Sequence, residues 1–329
     1  MRPTGTIVRV DANRSMGEHR DMHFRSARRS IVLAALLAIV AVGASGPTAS
    51  AATPPPITNC PIFPATSVWN KRVDTLPVQS NSSTLISAIG LTAGLHPDFS
   101  NAGRYGIPYM ITGSSTKKYS VRFTWPAESN RVLYPLGTAP KIEGGSDHHA
   151  IMVDTSACKL YELYALHKVG ASWRAGSGAV WSLKSNTLRP DGWTSADAAG
   201  LPIFPGLVRY TDVGHGAILH ALRFTAPVTC AGHIYPARHD AGSGSCSTRP
   251  AMGLRVRLKA SVDVSGYGTQ ARILLIALQR YGMILADNGS PWYVTGAPSP
   301  YWNDDVLHDL GAIKGSDFEV VDTTGFVAG

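Results

Sequence analysis

The chain has 329 residues, of which 44% are hydrophobic and 16% are charged. Its formal net charge is +8, but residues 1–51 carry seven of the 30 Lys/Arg and three of the 22 Asp/Glu, so the remainder has 23 basic and 19 acidic residues and a net charge of +4. Without clustered Lys/Arg or a phosphate-binding glycine loop in the sequence, this mild charge argues against a nucleic-acid partner and is compatible with an anionic polymer or a cell-wall glycan.

Residues 1–51 have the pattern of an export signal. A basic region at 25–29 precedes an apolar stretch of twelve residues at 31–42, and Ala49-Ser50-Ala51 fits the small-x-small rule for cleavage. The apolar stretch is shorter than the ~20 residues that a membrane span needs. We therefore predict a signal peptide over residues 1–51 and a secreted, extracellular protein without a membrane segment.

The segment after the predicted cleavage site, residues 52–59, contains three consecutive prolines and is typical of a stiff, exposed leader. Residues 60–329 contain no Pro/Ser linker and no repeat of fixed period. A single β-rich domain over 60–329 is the simplest interpretation, with two smaller domains as the alternative. We expect a monomer.

Short alternating segments dominate this region. Apolar and polar residues alternate over 119–125, 158–167 and 252–260, and 218–225 has a similar character. Strands with one exposed face show this alternation, and the Gly, Pro, Asn and Asp clusters between the segments mark turns. Residues 150–154 and 158–167 are separated by a three-residue turn and predict a hairpin.

Helices are few in the predicted fold. The sequence predicts three of them, over 83–89 before Gly90, over 269–281 before Gly282, and over 306–310 after an Asn-Asp-Asp cap. Residues 185–205 contain three prolines and little periodicity, which indicates an irregular loop. Many short strands with turn-rich connections predict a mainly β protein, a β-sandwich or jelly roll with a few short helices and long irregular loops.

Four cysteines follow the predicted export signal, and disulfides persist in an oxidising compartment. Three pairings are open. The sequence favours Cys230 with Cys246, which closes a short loop rich in Gly and Ser, and Cys60 with Cys158, which ties the mature N-terminus to a strand. Zinc is the weaker interpretation, since no two cysteines have C-x-x-C spacing.

The stretch GGSDHHAIMVD places an acid and two histidines at the start of a predicted strand. Because side chains alternate along a strand, His149 shares a face with the apolar residues that follow, whereas His148 points the other way. On the partner strand, Glu162 is a carboxylate among apolar and aromatic residues, where burial is unfavourable without a partner. We expect His149, Glu162 and His220 to meet in a functional cleft; a solvated face for Glu162 is the alternative.

Two enzyme chemistries are compatible with these residues. Glycoside hydrolysis needs two carboxyl groups, and the candidates for the catalytic residues are Glu143, Asp147, Glu162 and Asp197. Polysaccharide β-elimination needs a base and a cation, and the candidates for these roles are His149, His220, Tyr164 and Arg223.

A metal site is a further alternative. No organic cofactor is predicted, but a divalent metal would fit a set of histidines with one carboxylate, namely His149, Glu162, His220 and His239. Their spacing matches no compact metal motif.

Aromatic residues support a sugar-binding site. Trp193 and Trp292 lie among Gly, Ser, Asp and Asn, and exposed aromatic faces in loops stack on sugar rings. With Tyr164, Arg223 and His239 they are the predicted substrate-binding residues. The alternative is that both tryptophans belong to the core, where this residue is usually found.

Several longer motifs resemble a group of secreted bacterial proteins. They are CPIFPATSVWN, DHHAIMVD with CKLYELY, and GWTSADAAGLPIFPGLVRY followed by HALRFT. The resemblance covers nearly all of the chain after residue 51 and implies export and a single-domain outline. It carries no catalytic residue to this chain.

The sequence therefore predicts a secreted carbohydrate-active enzyme that hydrolyses glycosidic bonds of a polysaccharide or cell-wall glycan. A polysaccharide lyase or metal-dependent enzyme is one alternative. A non-catalytic protein that binds carbohydrate or a cell surface is the other.

Overall fold

The computed structural model describes residue 57 and residues 59–101 and 105–326. The predicted signal peptide and most of the predicted leader lie outside these residues. Within the described ranges, no helix is long and apolar enough to cross a membrane.

The secondary structure of this part of the chain consists mainly of short strands. In chain order the strands are β1 (His96–Asp98), β2 (Tyr109–Thr112), β3 (Val121–Phe123), β4 (Ala150–Asp154), β5 (Lys159–Tyr164), β6 (His167–Val169), β7 (Ser172–Ala175), β8 (Ser177–Ser182), β9 (Leu222–Ala226), β10 (Arg255–Leu258), β11 (Met283–Asn288), β12 (Tyr293–Thr295) and β13 (Phe318–Val320). The helices are α1 (Ser82–Gly90), α2 (Tyr210–Gly214), α3 (Thr269–Arg280) and α4 (Asp304–His308). The predicted mainly β class, with a few short helices and long irregular loops, is confirmed.

The strands form three sheets. A six-stranded sheet has the order β1-β12-β9-β11-β10-β13, a four-stranded sheet the order β2-β4-β5-β8, and a three-stranded sheet the order β3-β7-β6. Each sheet contains at least one parallel pair, such as β9 with β11, β2 with β4, and β3 with β7. The parallel pairs join strands that are distant in sequence, and the periodicity of single segments could not predict them.

The four-stranded sheet is buried on both faces because it separates two hydrophobic cores. One face, with Ile151, Val153 and Leu160, belongs to a large core that also contains residues of the six-stranded sheet. The opposite face, with Met152 and Tyr161, belongs to a second core shared with the three-stranded sheet. This division follows the two-residue period of β4 and β5, in which successive side chains point to opposite faces.

The predicted hairpin and helices are present. β4 pairs antiparallel with β5, with Ile151 opposite Glu162. α1 covers its predicted segment, α3 ends one residue before its predicted end, and α4 begins and ends two residues before its predicted bounds. The Asn303 side chain caps α4 by accepting a hydrogen bond from the backbone N–H of Val306 at 3.2 Å.

The alternation over 252–260 predicts that its basic residues lie on an exposed face of the strand, and this prediction is wrong at Arg255. Its side chain is 2% exposed, because β10 lies inside the six-stranded sheet between β11 and β13. The guanidinium donates hydrogen bonds to the backbone carbonyls of Tyr281, Val68 and Lys71 at 2.8 to 3.1 Å. Arg255 therefore ties the N-terminal segment to the sheet.

Both predicted disulfides are present. Cys60 bonds to Cys158 and Cys230 bonds to Cys246, and no cysteine among the described residues is free. Paired cysteines fit an oxidising compartment.

Candidate functional site

A cleft of about 450 Å³ opens beside the four-stranded sheet. Loop residues 194–198 form part of its wall, and its other residues come from segments that are distant in sequence. Its titratable and aromatic side chains are Trp125, Glu128, Asp147, Tyr164, Asp197, His239 and Asp287. Its volume lies within the range of ~300–1,000 Å³ that is usual for small-molecule sites.

Two stacked aromatic rings form one wall of the cleft. The centroids of the Trp125 and Tyr164 rings are 6.2 Å apart, with an angle of 25° between their planes. Both rings lie against the backbone of Gly176, where an added Cβ would approach each ring to within 2.7 Å. Trp125 remains 48% exposed, so part of its ring is open to a ligand.

A buried arginine connects two acidic residues at the cleft. The Arg223 guanidinium donates two hydrogen bonds to Asp197 Oδ2, at 2.8 and 3.2 Å, and one to Thr295 Oγ1 at 2.7 Å. Its Nη2 atom also lies 3.9 Å from Asp287 Oδ2. The parallel register of β9 and β11 produces this arrangement, because Arg223 pairs with Ile284 and Asp287 follows three residues later.

The two carboxyl groups beside Arg223 have shifted pKa values. Burial raises the pKa of Asp197 to about 7, against the opposing charge of Arg223. Burial also raises the pKa of Asp287, although Arg223 and His149 act in the other direction. The Asp197 side chain is fully buried, whereas that of Asp287 is 30% exposed.

Behind the cleft wall, His149 pairs with Glu143. His149 Nδ1 lies 2.6 Å from Glu143 Oε2, and His149 Nε2 lies 2.9 Å from the carbonyl oxygen of Ala196, a cleft residue. Burial alone would lower the pKa of His149, but the hydrogen bond and charge of Glu143 outweigh it and raise that pKa. In return His149 lowers the pKa of Glu143 against the effect of burial.

The two residues before His149 face solvent. Asp147 and His148 are exposed, and His148 has a positive φ of 48°. Asp147 lines the cleft, whereas His148 does not. His148 is therefore exposed and His149 buried, but strand parity does not set this difference, because β4 begins only at Ala150 and the φ of His148 is not extended.

Glu162 does not line the cleft, and this corrects the expectation that it meets His149 and His220 in one site. Its side chain is fully buried and accepts hydrogen bonds from the backbone N–H groups of Ile203 and Phe204 at 2.8 to 3.0 Å. Burial raises the pKa of Glu162 to about 7, against the effect of these hydrogen bonds. The carboxyl group holds the start of the 3-10 turn Phe204–Gly206 onto the sheet.

His220 also lies outside the cleft, which corrects its predicted catalytic role. It is buried with Arg209 and Asp212, whose side chains lie 2.8 and 3.2 Å from its Nε2 atom. Arg209 in turn contacts Asp212 at 2.8 Å. Burial and the charge of Arg209 lower the pKa of His220. This cluster fixes α2 to the start of β9.

The predicted tryptophan site is not formed. Trp292 is fully buried, stacked between Phe224 and Phe318, and donates a hydrogen bond to the carbonyl oxygen of Gly90 at 2.7 Å. It cannot reach a sugar. Trp193 is half-buried beneath the guanidinium of Arg189, 5.4 Å from its ring centroid, and does not line the cleft.

Of the predicted metal ligands, only His239 lines the cleft, where its Nδ1 atom lies 2.8 Å from the carbonyl oxygen of Ala198. The described residues contain no group of three or more His, Cys, Asp or Glu side chains placed to hold a metal ion. The set of His149, Glu162, His220 and His239 is therefore not brought together. Arg223, predicted to bind substrate, is occupied by Asp197.

Sequence reasoning missed Asp287, Trp125 and Glu128. Asp287 lies in the segment ADNGS at the end of β11, and an acid between an apolar strand and a Gly turn is a signal that could have identified it. Trp125 lies at the end of an alternating segment, and its sequence context does not distinguish it from an aromatic residue of the core.

Comparisons of the chain with models of protein families, with curated proteins and with solved structures found no match. The resemblance to secreted bacterial proteins therefore stays a prediction.

Proposed function

We propose that the protein is a secreted glycoside hydrolase that acts on a polysaccharide in this cleft. The observation that carries the proposal is the carboxyl group of Asp287, which has a raised pKa and reaches a cleft that the exposed carboxyl group of Asp147 also lines. Glycoside hydrolysis needs one carboxyl group that is protonated near neutral pH and one that is ionised.

The environments of the carboxyl groups suggest their roles. Asp287 is the general acid, because it combines a raised pKa with a side chain that reaches the cleft. Asp197 is a positioning residue, because its hydrogen bonds hold the Arg223 guanidinium beside Asp287. Asp147, exposed at the cleft, is the carboxylate that acts as base or nucleophile.

The aromatic wall supports a carbohydrate substrate. A half-exposed tryptophan face backed by a second ring is the surface on which sugar rings stack. Trp125 and Tyr164 supply this surface at the cleft. Ser195, Thr194 and Asn288 also line the cleft, but their side chains are already hydrogen-bonded within the protein.

The experiment is to incubate the purified protein with a panel of plant, fungal and bacterial polysaccharides and to measure reducing ends and the absorbance of unsaturated uronates. We expect reducing ends without absorbance, and we expect Asp287→Asn and Asp147→Asn each to lower turnover by ~10²-fold or more. Glu319→Gln is the matched control. Glu319 does not line the cleft, and its Oε1 atom lies 2.7 Å from Arg257 Nε.

Unsaturated products would show that the protein cleaves the polymer by β-elimination and not by hydrolysis. Binding of a polysaccharide that Trp125→Ala weakens, without any release of reducing ends, would make the protein a carbohydrate-binding protein. Equal losses in Glu319→Gln and Asp287→Asn would remove Asp287 from the mechanism.

A further inference from the structure

The three-stranded sheet presents a row of basic side chains to solvent. Arg122 on β3 pairs directly with Arg174 on β7, and Arg174 pairs with His167 on β6. All three side chains are exposed, whereas their neighbours Val121 and Trp173 point into the second core. Directly paired residues have Cβ atoms ~5 Å apart, so the three form a continuous row across the sheet.

The basic row lacks an acidic partner. None of its three side chains forms a salt bridge with a carboxylate of the described residues. Residues 105–136 and 165–176 contain six Lys/Arg and a single acid, Glu128, whose carboxylate accepts a hydrogen bond from the backbone of Thr194. Like charges directly opposite each other on a sheet are destabilising. An anionic ligand would offset this cost.

A surface groove beside the row lies next to the cleft wall along the chain. Arg122 and Arg131 line a groove of about 530 Å³, together with Pro126 and the exposed side chains of Val132 and Leu133. Pro126 directly follows Trp125 of the cleft wall. Trp125 is three positions after Arg122 along the chain, a distance of at most ~10 Å. A polymer bound in the cleft would therefore reach the row.

We infer that the substrate is a uronate-bearing polysaccharide, and that Arg122, Arg174, His167 and Arg131 bind its carboxylate groups beside the cleft. The inference rests on the proposed function for the kind of polymer. Guanidinium groups match carboxylates in a bidentate geometry. The cleft itself contains the carboxyl groups of Asp147 and Glu128, which repel a carboxylate, so the acidic sugars lie on the row and a neutral sugar lies in the cleft.

The test compares binding to polygalacturonate with binding to its methyl ester, which has the same backbone without the charge. Affinity electrophoresis measures the dissociation constant for each polymer. We expect retardation by polygalacturonate only, weakened by added salt. The double variant Arg122→Gln/Arg174→Gln should raise the dissociation constant at least tenfold. The charge-matched control is Arg272→Gln/Lys184→Gln, two exposed residues outside the row and the groove, with an expected change below twofold.

The Asp287→Asn variant distinguishes this inference from the proposed hydrolysis. It should no longer release reducing ends from the hydrolysed polysaccharide, and it should still bind polygalacturonate. Charge-dependent binding of polygalacturonate, with no reducing ends released by the wild type from any polysaccharide of the panel, would support the basic row and contradict the hydrolase. Equal retardation by the ester, or equal effects of the two double variants, would overturn the inference. Binding of duplex DNA as tight as that of polygalacturonate would also overturn it, since the row would then attract any polyanion.

Discussion

At the scale of single residues, the pairing of His149 with Glu143 and Ala196 fixes a protonation state. Both ring nitrogens of His149 face acceptors, a carboxylate oxygen at 2.6 Å and a carbonyl oxygen at 2.9 Å. A neutral imidazole can donate from only one nitrogen. The imidazolium form therefore satisfies both contacts and ties the cleft loop to the hairpin.

The stability of the protein should depend on pH through this pair. The pKa of His149 is raised above 6.5, so its contribution is complete below ~6.5 and is lost as pH rises through the raised value. The pKa of Glu143 is lowered below 4.5, so its contribution is present above ~4.5 and is lost as pH falls further. We expect the difference in Tm between wild type and Glu143→Gln to be largest between pH ~4.5 and ~6.5 and to shrink as pH rises through the raised pKa of His149.

Thermal unfolding of both proteins from pH 4 to 9 checks this expectation. Glu319→Gln is the control, because Glu319 pairs with an arginine and not with a histidine, and its Tm difference should stay constant from pH 6 to 9. A Glu143→Gln difference that is also constant over that range would show that His149 is not protonated in the folded protein.

At the scale of elements, Gly282 allows the chain to turn from α3 directly into β11. Its φ is 62°, in the left-handed region that favours glycine, and a Cβ at this position would overlap the carbonyl oxygen of Val256. The next residue, Met283, begins the strand that carries Asp287. The geometry of the cleft therefore depends on this helix end.

Gly282→Ala should lower the free energy of unfolding by ~2 kcal/mol or more, because the left-handed conformation and the overlap both oppose the added methyl group. Gly311→Ala is the matched control, since Gly311 has no positive φ and no heavy atom lies within 4 Å of an added Cβ. Its expected change is within ~1 kcal/mol. Urea denaturation measures both, and equal values would show that the strand start adapts to alanine.

At the scale of the whole molecule, the two disulfides close loops of very different length. Cys60 and Cys158 are 98 residues apart, and Cys230 and Cys246 are 16 apart. The longer loop joins the N-terminal segment to the turn between β4 and β5. Chain entropy predicts that a bond across a longer loop restricts the unfolded state more strongly.

Replacing Cys60 and Cys158 by alanine should therefore lower the free energy of unfolding by ~4–5 kcal/mol, and replacing Cys230 and Cys246 by ~3 kcal/mol. Denaturation of the two double variants under non-reducing conditions measures this order. A larger loss for the shorter loop would mean that native contacts, rather than loop length, determine the contribution of each bond.

Local features of the sequence determined the class of elements and several of their ends. The two-residue period predicted the β4–β5 hairpin, the apolar face and Gly282 predicted α3, and Asn303 predicted the cap of α4. The even set of cysteines, with the compartment argument, predicted both disulfides. Each of these depends on residues close in sequence or on composition.

The tertiary structure alone decided which side chains share the cleft. Strand parity places His149 and Glu162 on one face, but a period does not show what covers that face, and it is the turn at Phe204 that buries Glu162. The parallel pairing of β9 with β11 brings Arg223 beside Asp287 across more than sixty residues. Likewise, no Lys/Arg run marks the basic row, because Arg122 and Arg174 become neighbours only through sheet register. Pairing between distant strands is non-local, and a single sequence carries no periodic signal for it.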